Sequence, residues 1–236
     1  MRRLILGLLA WWVCGATPAF VQQKVASNAG GNASAAFTGA PVAGNSILVL
    51  VSYLSTDTIA SVTVEGVNIT ASATAPSTVT GVTTTFYYVH NIVGTSTQCQ
   101  VSGTNGTRVS ANCSEWSGLT NAAPEATNTN TGLANATVTT NSVTPASANN
   151  LVIAMGGWTA NDYSSGPTNS FTRMTQTGGG ALFQEGAYLI QSSATAQSTG
   201  WTLTAGINWA AAIAVFGAPA SGPTNAQRSA GFWTFP

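Results

Sequence analysis

The sequence predicts an all-β sandwich built from two pseudo-repeated halves, and three observations carry the prediction. One is a repeat. Asn45-Ser46-Ile47-Leu48-Val49-Leu50-Val51, Thr85-Phe86-Tyr87-Tyr88-Val89 and Cys113-Ser114-Glu115-Trp116-Ser117-Gly118 form the first copy. Asn149-Asn150-Leu151-Val152-Ile153-Ala154-Met155, Gly186-Ala187-Tyr188-Leu189-Ile190 and Ile213-Ala214-Val215-Phe216-Gly217 form the second. The period is about 100 residues, well beyond the 20–50 of solenoids and propellers. The next observation is strand patterning: residues 47–53 are a near-continuous apolar run, as in a strand buried on both faces, and residues 59–64 alternate. The last is that no stretch of about ten residues after the leader combines helical periodicity with caps.

In chain order, residues 1–19 read as a signal peptide. Arg2-Arg3 make a positive start, Leu4 to Cys14 an apolar core, and Cys14-Gly15-Ala16 or Thr17-Pro18-Ala19 a small-residue end suited to cleavage. A membrane anchor is the weaker reading, because a span needs about 20 apolar residues. Bulky Trp12 and Val13 argue against a lipid on Cys14. Phe20-Val21-Gln22-Gln23-Lys24-Val25 is the first strand, followed by a Gly/Asn/Ala stretch over 28–36. After the strands at 47–53 and 59–64 comes a turn at 65–68, a strand at 83–92 and a cysteine hairpin. Residues 119–136, rich in Asn, Thr and Ala, form the crossing between halves. A strand resumes at 136–139, the second copy follows, and 201–204 with 207–216 make a last hairpin. The organisation is a leader (1–19), one sandwich domain (20–218, halves about 20–118 and 137–218) and a linker with an aromatic tail (219–236).

At 236 residues the chain is long enough for one large β domain with a sizeable core. Only 5 % of its residues are charged and the net charge is zero, against a norm of about 25 % charged. Such a surface has no field to steer nucleic acid or hold an anionic membrane. Its low colloidal solubility favours an assembled state. Loss of the leader removes Cys14 and leaves Cys99 and Cys113, an even pair that fits an oxidising compartment. Between them, Gly103-Thr104-Asn105-Gly106-Thr107 is a hairpin signal. A loop at Asn105 to Thr107 would set the two cysteines opposite each other on adjacent strands, so a buried cross-strand disulfide is expected.

Chemistry-bearing residues are sparse. His90 is the one histidine and has no Gly-x-Ser-x-Gly elbow to serve. No cluster has zinc-ligand spacing, and the acids Asp57, Glu65, Glu115, Glu125, Asp162 and Glu185 are scattered. Asp57 and Asp162 each follow the equivalent buried strand, which leaves calcium as a minor possibility beside plain Asx-turns. Gly178-Gly179-Gly180 is a flexible loop with no helix after it to cradle phosphate. Sequons begin at Asn32, Asn68, Asn105, Asn112 and Asn135, though a chain this rich in Asn and Thr produces such triplets by chance. Among the tryptophans, Trp116, Trp201 and Trp209 fit a core, whereas Trp158, at a loop mouth beside Tyr163, is the candidate ligand contact. After the linker at Pro219, the tail carries Phe232, Trp233 and Phe235, costly to leave in water and candidates for intersubunit contact.

Laid out this way, Phe20-Val21-Gln22, Ala43-Gly44-Asn45-Ser46-Ile47-Leu48-Val49 and Ser114-Glu115-Trp116-Ser117-Gly118-Leu119 resemble a loosely defined group of repeat-built, jelly-roll-like proteins. These occur as secreted bacterial proteins and in phage or prophage gene sets. Asn150-Leu151-Val152 and residues 210–216 fit the same pattern, so the resemblance covers about 20–218. It implies a jelly-roll-like β-sandwich and carries over no catalytic residue. The expected function is a non-enzymatic, exported structural subunit of an extracellular or virion surface assembly, with self-assembly or other surface proteins as partners. The alternative is a carbohydrate-binding or adhesive module using Trp158 and Tyr163. An uncharacterised hydrolase ranks third.

Overall fold

The computed structural model describes residues 16–160 and 163–219. They form sixteen strands and one short 3-10 turn, Thr70–Ser72. The first nine are β1 Ala19–Asn28, β2 Asn32–Ala36, β3 Ser46–Tyr53, β4 Ile59–Val64, β5 Val67–Asn68, β6 Thr74–Val79, β7 Val82–Val89, β8 Gln98–Gly103 and β9 Val109–Ser117. The other seven are β10 Ala126–Thr139, β11 Leu151–Trp158, β12 Tyr163–Ser165, β13 Thr172–Arg173, β14 Thr177–Gly179, β15 Leu182–Ile190 and β16 Gly200–Phe216. The fold is all-β, and its named pairs are antiparallel.

Sheet I runs β1-β9-β3-β7-β6, sheet II runs β2-β8-β4-β5, and sheet III runs β10-β16-β11-β15-β13. Sheet I lies in the middle. The pleat sends alternate residues of β3 to opposite faces. Ile47, Val49 and Val51 meet Val62, Val64, Ala33 and Val101 of sheet II, while Leu48 and Leu50 meet Leu151, Ile153, Met155 and Phe216 of sheet III. That explains why the 47–53 run is apolar at nearly every position. β11 sits the same way in sheet III: Val152 and Ala154 point to a third core with Trp201, Trp209 and Ile213.

That third core exists because β16 is one bent strand, a correction to the expected hairpin at 201–216. Its end at Gly200–Thr202 pairs Thr137–Thr139, and its other end, from Trp209 on, pairs β10 residues Ala126–Gly132 and β11. Two irregularities in β10, around Asn135, let the pair fold over sheet III without a turn. At the bend Gly206 passes so close to Ala134 that a Cβ would stand 2.5 Å from its carbonyl oxygen. Two more segments differ from the sequence reading. The crossing at 119–136 contains most of the long edge strand β10, and the Gly/Asn/Ala stretch contains β2. Their small polar side chains hide a strand pattern whose outward residues contact solvent.

Cys99 and Cys113 are bonded, with Cα atoms 6.5 Å apart. The register expected for them is wrong, because β8 belongs to sheet II and β9 to sheet I. The bond therefore ties two sheets across their shared core. Asp57 is the reason. Its carboxylate accepts the N–H groups of Thr58, Thr104, Asn105 and Thr107 and the hydroxyls of Thr104 and Thr107. Residues 104–107 thus wrap around a buried anion and turn a corner instead of closing a hairpin. Burial pushes this carboxyl up, but the hydrogen bonds from Thr107, Asn105, Thr58 and Thr104 outweigh it and hold it well below the usual carboxylate range. In place of a plain Asx-turn, the oxygens of Asp57 face donors from both sides of the corner.

The disulfide closes a loop of about 15 residues, so reduction or a Cys99→Ala/Cys113→Ala exchange is expected to cost about 3 kcal/mol. Urea unfolding with and without reductant measures it; an unchanged midpoint would mean that the core alone holds sheets I and II together.

Candidate functional site at Arg173 and Glu185

Polar side chains gather where β13, β15 and the bent end of β16 meet. Tyr163 opens β12, Arg173 closes β13, and Glu185 lies mid-strand in β15 with no exposure to solvent. Arg173 Nη2 donates to Glu185 Oε2 (2.8 Å), and Trp201 Nε1 donates to Glu185 Oε1 (3.1 Å). The Arg173 guanidinium also lies over the Tyr163 ring, 4.4 Å from its centroid. The Tyr163 hydroxyl donates to the Gly166 carbonyl (2.8 Å). Burial pushes the Glu185 carboxyl up despite Arg173 and Trp201, and Glu185 in turn holds the Arg173 guanidinium above its ordinary value. Burial and the Glu185 charge raise the Tyr163 phenol.

Trp158 is corrected by this geometry. It ends β11, directly opposite Trp209 and Phe183, and is fully buried. Its ring stacks on Tyr163 at 6.3 Å and 14°. A ligand cannot reach it; the tryptophan fills the third core instead. Tyr163 is half-buried beneath Arg173 and is bound within the protein. Asp162, Phe232, Trp233 and Phe235 lie outside the described residues, as does the leader apart from residues 16–19. Sequence reasoning missed the Arg173–Glu185 pair, since the two are twelve residues apart across two strands. A Gln184-Glu185 pair inside a largely apolar strand, Leu182–Ile190, was the available signal.

Beside the pair is a shallow, open depression of about 430 Å³ lined by Gln23, Arg173, Met174, Thr175 and Gln176. Gln23 Nε2 donates to Thr175 Oγ1 (2.6 Å), and fully buried Asn112 donates to the Thr175 carbonyl (3.3 Å). At the opposite end, His90 Nε2 lies 2.8 Å from the Ala122 carbonyl, so it carries the proton and Nδ1 accepts from the Ser46 hydroxyl (2.8 Å). Burial lowers this imidazole's pKa. Ser46 is itself buried. Among the described residues no three His, Cys, Asp or Glu side chains come together as a metal-binding group would require.

Compared with known proteins, the chain matches no family model, no curated protein and no solved structure.

Removing Arg173 strands a buried carboxylate. Arg173→Ala is expected to cost about 2–3 kcal/mol near neutral pH. Glu185 has a raised folded-state pKa, so its contribution to stability is full below the unfolded value and is lost as pH rises through the folded one. The Arg173→Ala deficit should therefore shrink toward about pH 4, where the carboxyl is protonated. Glu185→Gln should match the parent there and be no less stable at neutral pH. Chemical denaturation across that range tests both; a pH-independent deficit would contradict the assignment.

Proposed function

We propose that the chain is a non-enzymatic, exported structural subunit of an extracellular or virion surface assembly. One observation carries the reading: every acidic side chain among the described residues is committed to holding backbone or strands. Asp57 anchors the 104–107 corner. Glu65 accepts the N–H groups of Val93, Gly94 and Ser96. Fully buried Glu115 accepts from Gln22, Val42 and Asn45, and Glu125 from Ala146 and Asn150. Glu185 holds Arg173 and Trp201. His90 is spent on Ser46 and Ala122. A general acid or base needs a proton-transferring group in reach of a substrate; Asp57, Glu115 and Glu185 are buried, and the part-buried Glu65 and exposed Glu125 hold loop N–H groups. The disulfide and the signal-peptide pattern support export, and a surface with little charge suits close packing against neighbours.

The same reading takes the two halves as copies of one unit packed face to face. Sheets I and III share a strand order in which a long closing strand lies between the edge and the centre. The contacts between them are reciprocal: β1 lies against β14 and β6 against β10. Tyr88 of one half packs edge-on against Phe216 of the other (5.6 Å), and Tyr188 against Trp116 (4.9 Å). Asn45 and Asn150, each just before a central strand, both donate to a glutamate.

The alternative, a carbohydrate-binding module, is favoured by the open depression at Gln23, Arg173 and Gln176, whose polar side chains line it with hydrogen-bonding groups suited to hydroxyls. Its mark would be glycan-array binding that Gln176→Ala abolishes.

Assembly is expected to depend on the tail. Deleting residues 229–236 should reduce the oligomer seen by size-exclusion chromatography and electron microscopy while leaving the melting temperature unchanged. A lowered melting temperature with unchanged association would place the aromatics on their own domain and remove them from assembly; a compact monomer at high concentration in the full chain would sink the structural reading.

A further inference from the structure

Edges decide what a β-sandwich can join, because an unpaired strand edge presents a row of N–H and C=O groups to any extended chain. Most edges here are guarded. β5 and β13 are two residues long, β12 and β14 three, and β2 five. β6 contains Pro76, which removes a donor, and the Ser77 hydroxyl donates to the Asn130 carbonyl of β10 (2.9 Å). β10 has fourteen residues without a charge or a proline. Its guards are asparagines. Asn128 Oδ1 accepts the Thr129 N–H (2.9 Å), Asn130 Oδ1 the Thr131 N–H (2.9 Å) and Asn135 Oδ1 the Thr137 N–H (2.8 Å). Asn208 Oδ1 accepts the Ala134 N–H (3.2 Å), and Asn141 Nδ2 donates to the Thr129 carbonyl (2.6 Å). Short side-chain bonds of this kind compete directly with an incoming strand.

β1 is the exception. It is ten residues long and, among the described residues, pairs only with β9, with a regular register from Gln22 to Asn28. Among the described residues, no backbone group of Ala19–Asn28 bonds any other segment. Lys24 is its one charged residue. Its start carries apolar surface: Phe20 is 37 % exposed and Val21 42 %. Phe20 stacks on Tyr188 (5.7 Å) and meets Trp116 edge-on (5.4 Å), so this surface has a rigid aromatic backing.

We propose that the outer edge of β1 is an interaction surface that takes, as an added strand, the C-terminal segment 220–236 of a second copy. The inference rests on the assembly reading above and names its docking edge. The segment contains Phe232-Trp233-Thr234-Phe235, β-prone and aromatic, which complements the Phe20–Val21 surface. Its length of about 17 residues reaches up to roughly 56 Å when extended, enough to leave one copy and run along β1 of the next. The last described residues lie at the same end of the molecule as the start of β1. The Gly217 carbonyl accepts the Thr120 N–H (2.8 Å), and Gly118 lies against Thr17, just before β1. Edge and segment are different surfaces, so the joint is head-to-tail and repeats into a filament. Backbone pairing supplies the affinity and the aromatics the register, as in strand addition.

The test is a disulfide cross-link between full-length chains. Val21→Cys chains are mixed with Thr234→Cys chains under mild oxidation, with Thr127→Cys on β10 as the guarded-edge control, and products are read by non-reducing electrophoresis and mass spectrometry. The expected product is a Val21–Thr234 linked pair at a yield at least about tenfold above the Thr127 control, a difference of about 1.4 kcal/mol in preference. Three results would overturn the proposal: Val21→Cys chains linking to each other, a chain bearing both changes closing on itself, or equal yields at β1 and β10. If tail-dependent assemblies form while the β1 cross-link fails, the edge assignment falls and the assembly reading stands. If the full chain neither assembles nor cross-links, both fall.

Discussion

Sheet I is buried on both faces, and the rest of the molecule follows from that constraint. A sheet covered on both sides buries side chains in both directions, apolar over residues 47–51 in β3 and with enclosed Ser110, Asn112 and Ser114 in β9. β3 and β9 accordingly carry core side chains in both directions, Val49 and Cys113 toward sheet II, Leu48 and Trp116 toward sheet III. Each fully buried Leu, Ile, Val or Phe contributes roughly 1.5–3 kcal/mol, so these two interfaces are the main favourable term. The cost falls on polar groups enclosed with them. Ser114 meets its cost by donating to the Leu48 carbonyl and accepting from Trp116, and Gln184 donates to the Leu50 carbonyl of the facing sheet. Space is equally constrained: Gly157 faces Ser52 and Thr84 so closely that a Cβ would stand 2.6 Å from the Ser52 hydroxyl.

With so few charges, the acids among the described residues are placed where a loop or edge must be held. A buried carboxylate needs donors on both oxygens, because an unpaired one would be strongly disfavoured. Asp57, Glu115 and Glu185 satisfy that need by gathering backbone and side-chain donors from segments far apart in sequence. They act as corner fittings: Asp57 for the turn between sheets II and I, Glu115 for the loop before β3, Glu185 for the edge of sheet III. The neutral surface that remains relies on amides and hydroxyls. On β10 the same residues that lower charge also occupy the strand's outward donors, which leaves β1 as the long edge still able to pair.

How much was legible depended on whether a signal was local. The all-β class, β3, β7 and β11 were readable because strand periodicity and apolar runs are written in consecutive residues. The cysteine pairing was readable from composition, but its register was not, since that was set by Asp57, 47 residues before the corner at Thr104. Trp158 was misread because a position next to a loop looks exposed until the bent end of β16 covers it. β10 was missed because Asn and Thr suit a loop by propensity, and only a partner strand and Asn side-chain caps make that stretch extended.

The sequence by itself determined the secondary-structure class, the central strands, the oxidised cysteine pair and the near absence of charge. Each of these depends on residue type and spacing within a few positions. The tertiary structure decided the three-sheet layering, the path of the disulfide across two sheets, the Arg173–Glu185 pair and which edges are closed. Those depend on long-range register, where a hydrogen bond or a bulge at one position changes which side chains meet about a hundred residues away, and no local pattern records it.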